Sequence, residues 1–597
     1  MKPKDILDIP KITRKAIRDI PKSWGKLQKV YLQQQLSRKD TIFLNLSAIL
    51  VGLGAGYAAI GFRFLIGSKQ NLFLHNQIDY HLISPLAHVR GSWIFLILPA
   101  GLLASTLITR YFASEAKGHG VPEVIEAVWT RNGYMRKRIV AFKALASSIT
   151  IASGGSVGRE GPIVQIGSAT GSALGQLFKM KPKLVKTLVG CGAAGAVAAT
   201  FNTPIAGVIF AIEIIVLELK TKSFVPLVIS SVIATVVARF HLGNEPAFFV
   251  PEYSLAGPNE LFSYLGLGIL AGITGVIFIK VLYRTEDFFD DLTIQFWLKP
   301  IFAGLVLAAI GSQYPQMFGV GYETVTSALQ QESTLLLMGL FIFLKMFCVS
   351  VTLGGGGSGG VFAPSLFIGA MLGGSYGYVV HAFFPLATAS YGAYALVGMA
   401  AVFSATSRAT FTAIVILFEM TLDYSIILPL MFVCVTADQV AWALSKESIY
   451  SLKLKRKGLN FVTDLSVNVM SMKQVKDIMT TELHVALETM TVREVANRLL
   501  RFNHSVIPVI NAQGEPIGVI PSLKLKKLLR KFPRSEIKDF VQTIHAIVPS
   551  DESVLNALTK IEKTRDPRVL VVSPKTNKLV GIVSPVDFVR LSSSDVD

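Results

Sequence analysis

A charged pair stands between glycines and a proline inside a long apolar stretch, at residues 158–162 (Gly-Arg-Glu-Gly-Pro). An ionised carboxylate at bilayer depth costs about 2.5–3.5 kcal/mol even on lenient insertion scales, so an acid in such a place indicates a functional site. Pro162 fits the first turn of a helix, where its missing N–H leaves no bond unmade. Glu160 is therefore predicted to lie at a helix N-terminus inside the membrane, where free N–H groups favour an anion.

Two further glycine-rich starts share this character, residues 118–122 (Gly-His-Gly-Val-Pro) and 359–364 (Gly-Gly-Val-Phe-Ala-Pro). Glycines let backbone N–H groups approach an ion, although membrane glycines also serve close helix packing. Backbone N–H groups and neutral hydroxyls suit chloride better than a lysine charge, because a conducted ion must leave as readily as it enters. A carboxylate such as Glu160 can occupy an anion position while charged and vacate it when protonated. The pattern predicts an anion-binding site within the membrane.

Composition predicts the elements that hold these motifs. The chain has 597 residues, 51% hydrophobic and 16% charged, and its apolar excess ends before residue 456. This combination indicates an integral, multi-pass membrane protein with a soluble tail. Residues 1–40 are basic and show no apolar signal-peptide core, so they are expected to stay cytoplasmic with the tail. The short loops favour a prokaryotic inner membrane.

The net charge of +19 raises the question of nucleic acid. The basic residues cluster beside apolar segments, which favours a role in membrane topology and predicts no nucleic-acid partner. Three cysteines lie in apolar stretches without metal-ligand spacing, so we expect no disulfide set, no metal and no required cofactor. A dinucleotide-like fingerprint at residues 190–195 lies in an apolar segment without a βαβ context, which argues against a nucleotide site there. The clusters and cysteines are Arg131, residues 136–138, Lys179, Lys181, Lys183 and Lys186, with Cys191, Cys348 and Cys434.

Several apolar segments are shorter than the ~20 residues that a full crossing needs, which predicts broken or re-entrant helices. The region also reads as two related halves: residues 201–207 lead to Glu213 as residues 407–413 lead to Glu419. Acids near segment ends are expected to cap or pair rather than transport; they are Glu123, Glu126, Glu213 and Glu419. The segments are 41–68, 90–113, 139–152, 160–178, 184–200, 204–219, 223–240, 259–284, 298–313, 334–352, 361–383, 391–403, 409–420 and 424–444.

These motifs, in this order and followed by Tyr450, resemble the CLC family of chloride channels and chloride/proton exchangers over about residues 40 to 455. The resemblance implies a polytopic α-helical homodimer in the lipid bilayer, with two inverted repeats of tilted, broken helices and one anion pathway in each subunit. It implies that Glu160 is the gate and that chloride or other small anions, with or without protons, are the cargo. The implied anion-binding residues are His119, Gly120, Val121, Gly158, Arg159, Gly161, Val361, Phe362 and Tyr450.

Two departures from the family pattern bear on mechanism. His119 stands where the family usually has serine, so anion preference and pH response are open. Ile214 stands where exchangers typically carry an inner glutamate, directly after the residue matching Glu213. An isoleucine cannot relay protons, which favours a voltage-gated, channel-like protein, with proton-coupled exchange as the alternative. An organic-solute transporter is a remote third reading, and no enzymatic activity is expected.

The tail has two β/helix units, each ending in an apolar strand and a turn, and they resemble a tandem pair of CBS domains. Such pairs often bind adenine nucleotides, and the second unit keeps a matching triplet of Gly581, Ser584 and Asp587. The first unit has Lys524 or a neighbour in place of the acid and has lost the pattern. A nucleotide site in the second unit and a ligand-free dimerisation and gating module are both open, since helix capping alone explains Ser584. The predicted domains are 1–40, 41–455, a linker at 456–473, 474–533 and 537–594.

Overall fold

The structure is a computed structural model that falls into two compact units, Met1–Lys453 and Leu454–Asp597. Residues 1–37 and 460–472 lie outside the described part of the chain, and with them most of the predicted N-terminal segment and linker. The described residues are 38–75, 91–217, 221–244, 257–459, 473–502, 505–544, 546–564, 568–584 and 587.

The first half of the membrane unit contains eight α-helices that follow the predicted apolar segments. The shortest, α7, continues into a π-helical turn at Ala211–Val216. One helix, α3, was not among the predicted segments, because it is short and carries Glu123 and Glu126 among its apolar residues. The helices are α1 (Arg38–Gln70), α2 (Ile94–Tyr111), α3 (Val121–Thr130), α4 (Ile139–Ala152), α5 (Glu160–Leu177), α6 (Pro182–Phe201), α7 (Pro204–Phe210) and α8 (Thr221–Leu242).

The second half repeats this order from the long helix α9 onward and ends on an additional short helix, α17. Two of its short helices were not predicted: α11, for the same reason as α3, and α17. The helices are α9 (Glu260–Asp291), α10 (Leu298–Gln313), α11 (Tyr322–Leu329), α12 (Leu335–Gly354), α13 (Phe362–Phe383), α14 (Tyr391–Ser407), α15 (Thr410–Thr421), α16 (Ile427–Leu444) and α17 (Ser451–Arg456).

Among the described residues, eight helices are long and apolar enough to cross a bilayer, and four further apolar helices are shorter. The long ones are α1, α2, α6, α8, α9, α12, α13 and α16. A mixture of full-length and short apolar helices is what the broken-helix prediction requires, since short segments at membrane depth must be enclosed by protein. The fold is thus that of an integral membrane protein with interrupted helices, as the sequence predicts.

The two halves meet through the turns that precede α5 and α13. Gly158 and Gly360 form an antiparallel bridge in which each N–H donates to the other's carbonyl, both at 2.7 Å. Reciprocal bonding between equivalent residues is what an approximate two-fold axis between the halves produces. The same axis relates two acids: Glu419 accepts from the N–H groups of Ile205 and Ala206, while Glu213 accepts from those at the start of α15. The capping role predicted for both acids is confirmed.

Close helix contacts use glycines at matching places in the two halves. A side chain on Gly192 of α6 would collide with the backbone of Gly167 on α5, and Gly369 and Gly398 make the same contact between α13 and α14. The dinucleotide-like fingerprint at residues 190–195 lies inside α6. Its glycines are therefore packing residues, as small residues at membrane helix interfaces usually are.

The C-terminal unit contains two three-stranded sheets of identical topology, each a parallel pair followed by an antiparallel pair. The segments that lead into the two repeats are exchanged: Thr480 bridges to Ile582 in the second sheet, and Gln542 bridges to Val519 in the first. Each repeat thus completes the other's sheet, which explains why they occur as a pair. The elements are β1 (Ala486–Leu487), α18 (Val492–Leu499), β2 (Val506–Ile510), β3 (Pro516–Pro521), α19 (Ser522–Lys531), β4 (Ile547–Pro549), α20 (Val554–Thr564), β5 (Val569–Val572) and β6 (Leu579–Val583).

Candidate functional site

The carboxylate of Glu160 lies at the N-terminus of α5, where the start of α13 faces it. The residue is 2% exposed. Its Oε1 accepts a hydrogen bond from the hydroxyl of Tyr322, and the Arg159 Nε lies 3.7 Å from the same oxygen. The Arg159 guanidinium also stands over the Tyr322 ring, 5.2 Å from its centroid. A buried acid at a helix N-terminus is where the sequence predicted it to be.

The second carboxylate oxygen faces backbone rather than side chains. The partial charges of the N–H groups of Glu160 and Ala363 act on the carboxylate, so both α5 and α13 direct positive helix ends at it. Oε2 lies over Gly158, where an added Cβ would come within 2.5 Å of it. It has no hydrogen-bond partner of normal geometry in the described part of the chain. The arrangement is a cradle of helix ends occupied by the protein's own anion.

Val361 and Phe362 begin α13 and contribute backbone to this cradle while their side chains pack elsewhere. The Phe362 ring packs against Phe403 at 4.2 Å and Phe201 at 5.2 Å between centroids. Both residues are buried. The predicted donors around residues 361–363 are therefore main-chain groups fixed by an aromatic core.

The glycine loop before α3 packs directly on the turn that carries Glu160. A Cβ on Gly120 would lie 2.7 Å from the Gly161 carbonyl oxygen, and a Cβ on Gly161 would meet the His119 carbonyl. The N–H of Gly120 donates to Glu123 Oε2 at 3.1 Å, in a capping box at the start of α3, where Val121 is buried. Gly120, Val121, Gly158 and Gly161 thus form one compact backbone region, with the Gly120 N–H engaged by Glu123.

Lys143 holds this loop in place. Its ammonium donates to the carbonyls of Ala116 and Gly118 at 2.9 and 2.8 Å and to the Ser358 hydroxyl at 3.0 Å. Ser358 in turn donates to Ala116 O at 2.7 Å. Lys143 is thus a clamp on the backbone of this loop.

His119 is fully buried. Neither ring nitrogen makes a hydrogen bond of normal geometry to another described residue. The Nε2 lies 3.6 Å from Glu286 Oε1, and the ring stands edge-on to Tyr283 with centroids 6.2 Å apart. The side chain is thus available to a ligand, as the sequence predicts, and it has a carboxylate neighbour that the sequence did not predict.

Tyr450 is buried, with 3% of its surface exposed. The preceding residue fixes its backbone: the Ile449 N–H donates to Thr406 O at 2.8 Å, and the Ile449 carbonyl accepts from the Tyr283 hydroxyl at 2.5 Å. Contacts with α9 and α14 thus hold the segment that carries Tyr450.

The sequence missed Tyr322 and Glu286. Tyr322 follows residues 319–321 (Gly-Val-Gly), a second-half counterpart of the Gly-His-Gly loop that alignment of the two halves could have found. Glu286 lies near the end of α9, just beyond a predicted apolar segment, and carries no motif. Ile214 lies buried in the π-helical turn after α7, beside the helix-capping Glu213.

The nucleotide residues predicted in the second C-terminal repeat make local contacts. The Ser584 N–H and hydroxyl both donate to Asp587 Oδ2 at 2.7 Å. A Cβ on Gly581 would lie against Met479, 2.8 Å from its Cγ. Ser584 and Asp587 thus bond to each other, and Gly581 packs closely against Met479.

Interrupted helices in two related halves, with a buried carboxylate between opposed helix ends, define a membrane transport protein. The family described as "Voltage gated chloride channel" matches residues 100–441, and the "CBS domain" family matches residues 475–531 and 537–594. The chain therefore belongs to the CLC family of chloride channels and exchangers, and it carries a tandem CBS pair.

Relatives and solved structures agree with this assignment. A "Putative chloride channel protein ClcB-like" of Ralstonia nicotianae is 32% identical over 412 residues, 68% of this chain and 95% of the relative. An "H(+)/Cl(-) exchange transporter ClcA" of Yersinia pestis is 31% identical over 434 residues, 70% and 88% of the two chains. A structure of a slow cyanobacterial Cl−/H+ antiporter has a TM-score of 0.63 at 27% identity, covering 69% of this chain and 97% of that one. A eukaryotic CLC transporter has the same fold, with a TM-score of 0.61 at 22% identity, covering 94% and 98%.

Proposed function

We propose that the protein moves chloride across the bilayer through a pathway in each subunit that the Glu160 carboxylate closes. The observation that carries this proposal is the position of that carboxylate, buried where the N-terminal ends of α5 and α13 face each other. Helix ends of this kind stabilise an anion without a full positive charge. When Glu160 is protonated, the neutral side chain is held less strongly by the helix ends, and chloride takes its place.

We propose further that transport is coupled to protons, in opposite directions. Relatives that share most of their length with this chain are named as H+/Cl− exchange transporters. Glu160, His119 and Tyr450 are also all buried. Burial of all three supports a carrier that hands its cargo over in steps, whereas an open channel needs a continuous aqueous path.

Channel-like conduction is the second candidate, and Ile214 is the observation that favours it. The residue is apolar and buried in the turn after α7, and its neighbour Glu213 caps α15. Ile214 cannot carry a proton, and the Glu213 carboxylate is bonded to the start of α15. The channel reading requires that the proton bound by Glu160 returns to the side from which it came.

The experiment that separates the two candidates is a reversal-potential measurement on purified protein in liposomes. With a chloride gradient and a pH gradient of opposite direction, an exchanger reverses at a voltage set by both gradients. We expect the reversal voltage to move when the pH on one side changes. A voltage that follows chloride alone would establish the channel, and transport of an organic solute with no chloride flux would overturn both.

For the anion site we propose the side chains of His119 and Tyr450, with main-chain groups of Gly120, Val121, Gly158, Gly161, Val361 and Phe362 and the charge of Arg159 nearby. The imidazole is buried and its nitrogens are free of normal hydrogen bonds to described residues, which suits an anion acceptor for its N–H. Replacement of His119 by serine is expected to change the ratio of chloride to nitrate flux. An unchanged ratio would remove the side chain from the site.

Assembly, orientation and domain limits also belong to this proposal. We propose a homodimer with one pathway per subunit, in a prokaryotic inner membrane, with the N-terminus and the CBS pair in the cytoplasm. Basic residues at helix ends, such as Lys181 before α6 and Lys183 in its first turn, support this orientation. The predicted domain limits at 41–455, 474–533 and 537–594 stand with it. Titration of the protein with ATP or AMP tests whether Gly581, Ser584 and Asp587 take part in nucleotide binding.

A further inference from the structure

An ionisable cluster surrounds the imidazole of His119. It consists of His119, Glu286 and Lys453, contributed by the loop before α3, the end of α9 and the start of α17. His119 Nε2 is 3.6 Å from Glu286 Oε1, and the Lys453 ammonium is 4.0 Å from the same oxygen. The cluster brings together residues from three distant parts of the chain.

Accessibility changes across this cluster. The side chains of Glu286 and Lys453 are 18% and 16% exposed, while that of His119 is fully buried. Glu286 therefore touches solvent on one side and the imidazole on the other. A carboxylate between solvent and a buried imidazole can pass a proton inward, because both groups can accept and release a proton.

Burial and neighbouring charges both act on the protonation of His119. Burial is the largest influence and disfavours the imidazolium, as does Lys453, while Glu286 and Glu123 favour it. Lys117 and Lys453 act on Glu286 in turn, and the Tyr283 ring covers one edge of the imidazole. These groups come from α3, α9, α17 and the loop before α3, the described elements from which charged side chains act on the pair. The two carboxylates thus offset part of the cost of charging a buried imidazole.

We propose that His119 and Glu286 are the inner proton-exchange site of this transporter. Solvent protonates Glu286; its O–H bond then breaks as an N–H bond forms at His119 Nε2, leaving a carboxylate and an imidazolium. The imidazolium releases a proton to water in the anion pathway, and that water protonates the carboxylate of Glu160. The proposal rests on the proton-coupled exchange proposed above, and it supplies the relay that Ile214 does not.

The test compares Glu286→Gln with wild type in liposomes, with chloride flux and chloride-driven proton flux measured on the same sample. Because positioned proton-transfer groups contribute about 100-fold or more, we expect the number of protons moved per chloride to fall by at least about tenfold. Glu286→Asp retains a titratable group and should keep proton flux above that of Glu286→Gln. Asp290→Asn is the matched control, since Asp290 is an exposed acid on the same helix, and its ratio should equal that of wild type.

His119→Asn provides a second, independent variant that keeps a donor but does not titrate at neutral pH. It should lower the same ratio by a similar factor, even if Glu286→Gln folds poorly. If both variants pump protons as wild type does, the pair only fixes the loop and this proposal is wrong, while exchange itself stands. If wild type moves chloride without protons, exchange and this relay fail together.

Discussion

The two halves of the membrane unit share a scaffold but differ in their chemistry. Matching helices end or turn with nearly the same backbone geometry, down to single left-handed residues at φ values of 106° and 105°, 62° and 61°, and 53° and 54°. Such residues are uncommon outside glycine, so their recurrence at equivalent places reflects one backbone used twice. The pairs are Gly154 and Gly356, Asn202 and Arg408, and Leu217 and Leu422.

The chemistry is divided unequally over this scaffold. Where the first half has His119, the second has Val320, and where the first has Glu160, the second has Phe362. The second half instead supplies what the carboxylate needs, namely the Tyr322 hydroxyl and the start of α13. A repeated backbone thus gives two opposed helix ends at one place, and divergence of single side chains makes one of them the titratable partner.

The largest effect is expected at Glu160, because Glu160 can take up a proton and its counterpart Phe362 cannot. Glu160→Gln should abolish proton flux, at least about a hundredfold below wild type, and remove the pH dependence of chloride flux. Phe362→Leu, at the matching position, should retain proton coupling because it removes an aromatic contact and no titratable group. Paired liposome assays of chloride and proton flux measure both. Proton pumping by Glu160→Gln would show that the proton uses another acid.

Tyr322 is the residue through which the second half bonds to the first half's acid, since its hydroxyl donates to Glu160. A hydrogen bond to a charged group is worth about 1.5–3 kcal/mol, so its loss should favour the open gate by about tenfold. Tyr322→Phe is therefore expected to raise chloride flux at a pH where Glu160 is charged. Tyr314→Phe serves as the control, because Tyr314 packs against Phe341 away from Glu160. Slower or unchanged flux in Tyr322→Phe would contradict a holding role.

The sequence predicted the features that depend on local pattern and missed the contacts between residues that are distant in the chain. Apolar runs marked all the helices of the membrane unit except the short helices α3, α11 and α17, and glycine motifs marked the turns around Glu160. Tyr322 and Glu286 escaped because neither stands in a motif, and each meets its partner only after the two halves and α9 have packed together. The capping roles of Glu213 and Glu419 were predictable because an acid near a helix end has few other uses in a membrane.

The two buried lysines, Lys143 and Lys345, differ in how many groups they bond. Lys143 donates to three acceptors, whereas Lys345 donates to Gly319 O at 3.0 Å and has the Phe367 ring 4.9 Å away. Each buried acceptor left unmatched costs about 1–3 kcal/mol, so Lys143→Met should destabilise the protein more than Lys345→Met. Thermal unfolding in one detergent compares the two melting temperatures. An equal or reversed order would show that the clamp around Ser358 is not what holds the glycine loop.

The smallest difference is expected between the two capping acids, where the symmetry is best kept. Glu213 bonds to the N–H groups of Phe411 and Thr412, and Glu419 to those of Ile205 and Ala206. A charge at a helix N-terminus is worth about 0.3–1 kcal/mol, so Glu213→Gln and Glu419→Gln should lower the melting temperature by similar, small amounts. Glu213 also accepts from the Thr412 hydroxyl at 2.6 Å, whereas the described bonds of Glu419 are to backbone N–H groups. Thr412→Val should remove this excess and bring the two variants together, and a persistent gap after that change would mean that the two caps differ in more than this hydroxyl.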